Sequence, residues 1–232
     1  MNTCIAPAGW CDIDYSLAKE TLVANHPVLG QLPVEQLSDG IRNMIGMVAD
    51  IAFRATKLNG HLGAAAARQT PGIVLIDEVD MHLHPEWQQS VIPSLTAAFP
   101  LLQFIVTTHS PQVLSTVDAR CVRVIVHEPS SVSRRITTHV VVPAWQTRGV
   151  ASADLLARIM NVNPVPDVPE AGWVNQYQAL IQQSLHTSAP GLALRAQLIT
   201  HFGAEHPVMQ DCERLIRLQS FKQRLPRQDR KG

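Results

Sequence analysis

The sequence predicts an α/β fold followed by an all-helical tail, and three observations predict it. Two aliphatic runs, IVLI at residues 73–76 and the apolar part of FPLLQFIVTTHSP at 99–111, lack alternation and end in polar residues. Each is followed by a stretch that opens near a proline, Pro85 or Pro111, and reads as helix. Beyond residue 161 strand signals fade and helical ones remain. Strand, helix, strand, helix, strand is the wiring of a parallel sheet with right-handed crossovers.

Taken in order, the opening MNTCIAPAGWCDIDYS shows neither alternation nor helical periodicity. It reads as an irregular start, or as the point where a longer protein has been cut. Residues 32–36 read as a lead into LSDG at 37–40, and IRNMIGMVADIAFRATKL at 41–58 places Ile41, Ile45, Val48, Ala52 and Ala55 on one helical face. Ser38 or Asp39 would cap that helix, and Gly40 would let the backbone close on a neighbour. GHLGAAAARQTPG then loops into the first strand, whose four aliphatic residues predict burial on both faces. A helix from Pro85 through Trp87, Val91 and Leu95 follows, then the second strand, ending in Thr107, Thr108, His109 and Ser110. A helix over 111–117 and a strand over 122–126 complete the alternation. Residues 136–142 read as a further strand, a candidate hairpin partner for 122–126. NVNPVPDVPE at 161–170 has three prolines and reads as a linker or rigid turn, before helices near 173–186, 192–202 and 208–225.

Composition narrows the function classes. With 46% hydrophobic and 16% charged residues, the 232-residue chain is globular and weakly charged. Nineteen basic residues balance nineteen acidic ones, so composition points to neither a nucleic-acid nor a membrane partner. The exception is the end: from Arg214 onward seven Lys or Arg face a single Asp, as a solubilising helix and tail or as a patch that touches nucleic acid or an acidic partner. Cys4, Cys11, Cys121 and Cys212 form no CxxC pair, so a disulfide scaffold or zinc ribbon is not indicated and a reducing, cytoplasmic setting is expected. No apolar run approaches the roughly 18 residues of a membrane span.

The chemistry gathers at the strand ends. In open parallel sheets ligands lie beyond the carboxyl ends of the strands. Asp77 and Glu78 stand there on one strand and His109 on the other. An Asp-Glu pair at such a position offers one carboxylate to Mg²⁺ and a second to polarise water, and an imidazole nearby can meet a phosphoryl group. Taken singly, each residue could simply mark a solvated strand end; Thr107 and Thr108 could reach a bound nucleotide or be strand-end hydroxyls with no such duty. His82 and His84 have a His-x-His spacing, but no cysteine or third histidine lies close in sequence to complete a zinc set. Trp10, Trp87, Trp145 and Trp173 are scattered and read as packing residues.

These motifs together resemble the ATP-binding-cassette superfamily, and within it the AAA-type ATPases of anti-phage defence encoded with retrons or with an HNH nuclease. LSDG resembles the signature motif, IVLIDE at 73–78 the Walker B strand, Asp80 with MHLHPEWQ at 81–88 the D-loop, and THSPQVL at 108–114 the switch-histidine motif. The resemblance covers about residues 34–117. It implies that Asp77 coordinates Mg²⁺, that Glu78 orients and deprotonates water, and that His109 contacts the γ-phosphate of ATP. It implies that Ser38 and Gly40, at a helix N-terminus, hold the γ-phosphate of ATP bound to a second ATPase subunit, with Asp80 at that head-to-tail dimer interface. His82 and His84 are then residues that shape the turn into the Pro85 helix.

A phosphate loop of the form GxxxxGK[ST] occurs nowhere in the 232 residues. The fold expected from the resemblance is thus a partial P-loop NTPase sheet of ABC type, lacking the Walker A half. Residues 1–145 would form the C-terminal half of the head and 146–232 a helical extension. By analogy with the defence ATPases, that extension would contact a partner such as a nuclease. The implied function is the C-terminal portion of a sensor or regulatory ATPase, incomplete as a catalyst alone. The alternatives are a non-catalytic binding or regulatory remnant and a DNA-repair-type ATPase.

Overall fold

The computed structural model describes residues 2–129 and 136–224, so the last eight residues of the basic C-terminal run lie outside the described residues. The chain divides into two compact units, Met1–Val162 and Asn163–Gly232.

In the first unit a short helix α1 (Asn2–Ile5) precedes an antiparallel meander of β1 (Cys11–Ser16), β2 (Thr21–His26) and β3 (Gly30–Pro33). This replaces the irregular start expected from sequence. Within β1, Cys11, Ile13 and Tyr15 alternate with Asp12, Asp14 and Ser16, and the β1–β2 register shifts between Cys11 and Asp14, with Asp12 at φ 47° in the left-handed region. Residues 32–33 likewise belong to β3, and only Val34–Gln36 form a helical turn, a 3₁₀ one.

The long helix α2 (Asp39–Leu58) buries Gly40, Ile41, Met44, Ile45, Val48, Ile51 and Ala55, an i, i+3/i+4 stripe that agrees with the apolar periodicity. A short helix α3 (Ala66–Gln69) leads into β4 (Gly72–Ile76), followed by α4 (Pro85–Gln88), α5 (Val91–Ala98) and β5 (Leu102–Val106). The single helix expected from Pro85 is broken at Gln89 and Ser90. Pro93 explains the break, because it has no N–H for the carbonyl of residue 89 and its ring would clash with that carbonyl. The buried side chains of α1, α2, Val79, Leu83, Val91, Leu95, Phe99 and Val113 form one core.

Strands β4 and β5 pair in parallel, as the wiring predicts. Two expectations are corrected here. Val74, Ile76, Leu102, Phe104 and Val106 pack on the core, but Ile73 and Leu75 are 65% and 75% exposed, so β4 is covered on one face only. The third strand also leaves the parallel sheet. After α6 (Pro111–Leu114), β6 (Val124–Pro129) pairs antiparallel with β7 (Ile136–Val141) as a separate two-stranded sheet. The hairpin alternative is therefore the observed one. A further helix, α7 (Ser152–Arg158), packs on α6. The segment before it is tied back by Gly149 N–H to Ser115 O at 2.8 Å and by the buried Thr147 hydroxyl to Val117 O.

The second unit contains α8 (Pro169–Gln182), α9 (Ala189–Phe202) and α10 (Pro207–Arg224). Each carries a proline in its first turn, at 169, 190 and 207. Tyr177, Ile181, Leu198, Met209 and Cys212 form its core. No helix among the described residues is long and apolar enough to cross a membrane.

The cysteines give a probe of each core. Burial pushes the thiols of Cys4 and Cys212 up from the ordinary value, whereas Cys121 is exposed. A thiol reagent at about pH 8 should therefore label Cys121 first and Cys4 and Cys212 last, since a raised thiol holds less thiolate and lies out of reach. In a urea series, peptide-resolved labelling of Cys4 and Cys212 should give one unmasking curve per unit. Immediate labelling of both without denaturant would contradict the two cores.

Candidate functional site

The register of β4 on β5 places Ile76 opposite Val106, so Asp77 and Thr107 leave the sheet side by side. Thr107 then holds both acidic residues. Its hydroxyl donates to Asp77 Oδ1 and accepts the Glu78 backbone N–H at 2.8 Å. Its own N–H donates to Ile76 O, and its carbonyl accepts from Val79 N–H, both at 3.0 Å. A hydroxyl has one proton to give and lone pairs to receive, so this arrangement uses both capacities. Glu78 bends the chain out of the strand at φ 49°, a conformation uncommon for a residue with a Cβ. The bend sends Val79 into the core and leaves the Asp77 and Glu78 side chains exposed.

One step further, the Thr108 hydroxyl donates to Asp80 Oδ1 and accepts the Ser110 N–H at 3.0 Å. His109 is exposed between these two tied residues. Ser110 is buried and caps α6, its Oγ accepting from the N–H groups of Gln112 at 3.1 Å and Val113 at 3.2 Å. The structure thus brings Asp77, Glu78, Asp80 and His109 to one end of the parallel pair.

Ser38 and Gly40 stand at the start of α2. The Ser38 side chain makes no capping bond to its own helix, and both Ser38 and Asp39 are exposed. Asp39 pairs instead with Arg42. Gly40 is buried, and a Cβ there would lie 2.5 Å from the carbonyl oxygen of His82. The residue type is required for close backbone approach, within the chain, to the turn that carries Asp80. His82 is at φ 63°, and His84 caps α4, its Nδ1 accepting the Glu86 N–H at 3.4 Å. Among the described residues no group of three or more His, Cys, Asp or Glu is placed to hold a metal ion.

Sequence reading missed Thr107 as the holder of both acids, and it placed Gln88 and Ser110 inside motifs without giving either a role. Ser110 carried a signal, a serine just before a proline-initiated helix. Gln88 closes the MHLHPEWQ stretch, but nothing there marked its bonds to Leu83 and Ser110.

The structure is a mixed α/β unit in which two acids follow one strand of a parallel pair, and comparisons with known proteins give the resemblance at family level. Residues 25–115 match the family described as "AAA domain, putative AbiEii toxin, Type IV TA system". The chain is 36% identical to the "Retron Ec83 probable ATPase" of Escherichia coli over 177 residues, 75% of this chain and 30% of that protein. It is 43% identical to the "Retron Vc95 probable ATPase" of Vibrio cholerae over 99 residues, 41% of this chain and 18% of that protein. Against the Septu protein PtuA of Bacillus mycoides it is 42% identical over 78 residues, 34% of this chain and 10% of that protein. The resemblance is to AAA-type ATPases linked to retron and Septu anti-phage systems, and the chain spans less than a third of these relatives' length.

Two glycines of α2 supply a controlled test of the Gly40 contact. Gly46 has open space where a Cβ would go, so Gly46→Ala should stabilise by about 0.5–1 kcal/mol through helix propensity. Gly40→Ala gains the same propensity but meets a backbone carbonyl that cannot swing away, and overpacking should destabilise by about 1–3 kcal/mol. Urea denaturation of the two variants should show opposite signs; equal stabilisation would remove the contact.

Proposed function

We propose that this chain contributes the acid–base half of an ATP-hydrolysing site of ABC type. In this reading Asp77 holds Mg²⁺, Glu78 orients and deprotonates the attacking water, and His109 hydrogen-bonds the γ-phosphate. The observation that carries the reading is the Thr107 clamp, which fixes the Asp77 carboxylate and the Glu78 backbone together at the end of a parallel strand pair. One acid with an oriented carboxylate beside another with a fixed backbone and a free side chain suits metal binding and water activation at a phosphoryl group.

The donor set fits the metal. Mg²⁺ is commonly held by one or two carboxylates, with water and substrate phosphate supplying the rest, and needs no cage of protein ligands. Asp77 is exposed and has Oδ1 engaged by Thr107, which orients the carboxylate toward the strand end. When bound, the metal would neutralise developing phosphate charge. The protein's own part is to orient the Asp77 carboxylate, to fix the Glu78 backbone and to keep His109 between the anchored Thr108 and Ser110.

In the same reading the Ser38 hydroxyl, which makes no capping bond, and the first N–H groups of α2 would accept an anion. In the head-to-tail reading they serve the nucleotide of a second ATPase subunit, with Asp80 at the interface. The phosphate loop, absent from these 232 residues, is supplied by another polypeptide or by further chain. The biological setting inferred from the relatives is anti-phage defence, with this ATPase as sensor or regulator and a nuclease as partner. The absence of GxxxxGK[ST] favours one rival, a binding or regulatory protein without turnover.

Calorimetry with MgATP separates these. The 232-residue chain alone is expected to bind weakly, with Kd no tighter than about 1 mM. Adding the phosphate-loop-bearing N-terminal part of a retron ATPase relative should restore hydrolysis. Glu78→Gln should then lower turnover by about 10²–10⁴-fold while MgATP binding survives. Equal turnover by wild type and Glu78→Gln would remove the assigned role, and restored binding without turnover would favour the regulatory protein.

A further inference from the structure

Gln88, the last residue of α4, is half-buried and bonds in two directions. Its Nε2 donates to Leu83 O at 3.0 Å, and its Oε1 accepts the Ser110 hydroxyl at 2.7 Å. Leu83 belongs to the turn that starts at Glu78, and that turn is braced by Met81 N–H to Glu78 O at 2.9 Å and Leu83 N–H to Asp80 O at 3.1 Å. Ser110 follows His109 and caps α6 through Gln112 and Val113. The carbonyl before Leu83, that of His82, is the one against which Gly40 is wedged.

We propose that Gln88 is a positioning residue that locks the start of α2, the Asp80 turn and the His109 segment into one rigid body. The path is continuous: Gly40 rests on His82 O, Leu83 O receives the Gln88 amide, and the Gln88 carbonyl receives Ser110 beside His109. A side-chain amide suits this place, because one end donates to a carbonyl and the other accepts from a hydroxyl, and Gln88 is the nearer of the two acceptors of Ser110, at 2.7 Å against 3.1 Å for Gln112 Oε1. The functional meaning rests on the reading given above, in which Ser38 and Gly40 serve one nucleotide and Asp77, Glu78 and His109 serve another. Under it, Gln88 ties the two half-sites that a single chain contributes, so that engagement of one biases the geometry of the other.

Amide hydrogen exchange of the 232-residue chain, without nucleotide, tests the lock independently of any ATPase activity. In Gln88→Met, which keeps the length and loses both bonds, exchange should rise about tenfold at Met81 and Leu83, at Ser110 and Val113, and at Arg42 in the first turn of α2. Amides of β4 and β5 should keep their wild-type rates. Gln88→Glu retains the acceptor for Ser110 and loses the donor to Leu83, so it should loosen Met81, Leu83 and Arg42 and leave Ser110 and Val113 protected. If Gln88→Met leaves Arg42 or the Ser110 pair unchanged, the lock is overturned. If it also loosens the strands through general destabilisation, Gln88→Glu decides, and a uniform response there overturns the proposal as well. A positive exchange result with no MgATP binding in the reconstituted protein would keep the lock and discard the nucleotide reading.

Discussion

Everything at this site depends on the pairing register of two five-residue strands. With Ile76 opposite Val106, the next residue of each strand is Asp77 and Thr107, and their side chains meet. A slip of one residue would turn the aliphatic side chains of one strand to the opposite face and separate Thr107 from both acids. The register is held by burial on one side only. Val74, Ile76, Phe104 and Val106 face the core, and that apolar set is what a slipped pairing would lose. The bends that follow, at Glu78 and His82, are left-handed turns adopted by residues with Cβ atoms. Such conformations persist where surrounding bonds determine them, and here Thr107 on one side and Gln88 on the other supply those bonds.

The bare face of the same strand pair has a physical cost that matters for function. Ile73, Leu75 and Ile105 present aliphatic side chains to solvent on a parallel pair, whereas parallel sheets are ordinarily covered on both faces. The proposed half-site and this uncovered face lie on the same two strands. A polypeptide that brought the phosphate loop to the strand ends and covered the outer face would satisfy both at once. The helical unit has its own core around Tyr177, Leu198 and Met209, so its stability does not require the strand pair to be complete.

Much of this was legible in the sequence where a local signal and its tertiary use coincide. The periodicity of α2, the proline starts of α4 and α6 and the aliphatic runs of β4 and β5 all became the elements they suggested. Helices α8, α9 and α10 also appear near their expected positions. The meander β1–β3 was passed over, although Cys11, Ile13 and Tyr15 alternate with Asp12, Asp14 and Ser16; the run is only six residues long and follows an opening with no period. The break before α5 followed from Pro93 and was readable, though the apolar spacing across Trp87, Val91 and Leu95 masked it. The bare face of β4 was not readable, because an unbroken aliphatic run has no period from which an uncovered side can be told. The acids and His109 stood out as residue types at strand ends. Thr107 and Gln88 did not, since threonine and glutamine are unremarkable there and their meaning lies in partners 30 and 22 positions away.

The glycine of LSDG shows how a motif can carry two meanings. Read as a signature, Gly40 exposes a helix start to a phosphate on another subunit. The structure gives it a partner inside the chain, the His82 carbonyl, at a distance that no other residue would tolerate. The two uses are compatible, because the face of α2 that Gly40 buries is not the one at which Ser38 stands exposed. Together they give the motif a reason for its spacing: Ser38 supplies the free hydroxyl, and Gly40, two residues on, anchors the helix start to the Asp80 turn. A serine held in that way is fixed with respect to Asp80 and, through Gln88, to the segment bearing His109. Under the proposed reading, an anion held at Ser38 would therefore be carried on the same rigid body as the Asp80 turn.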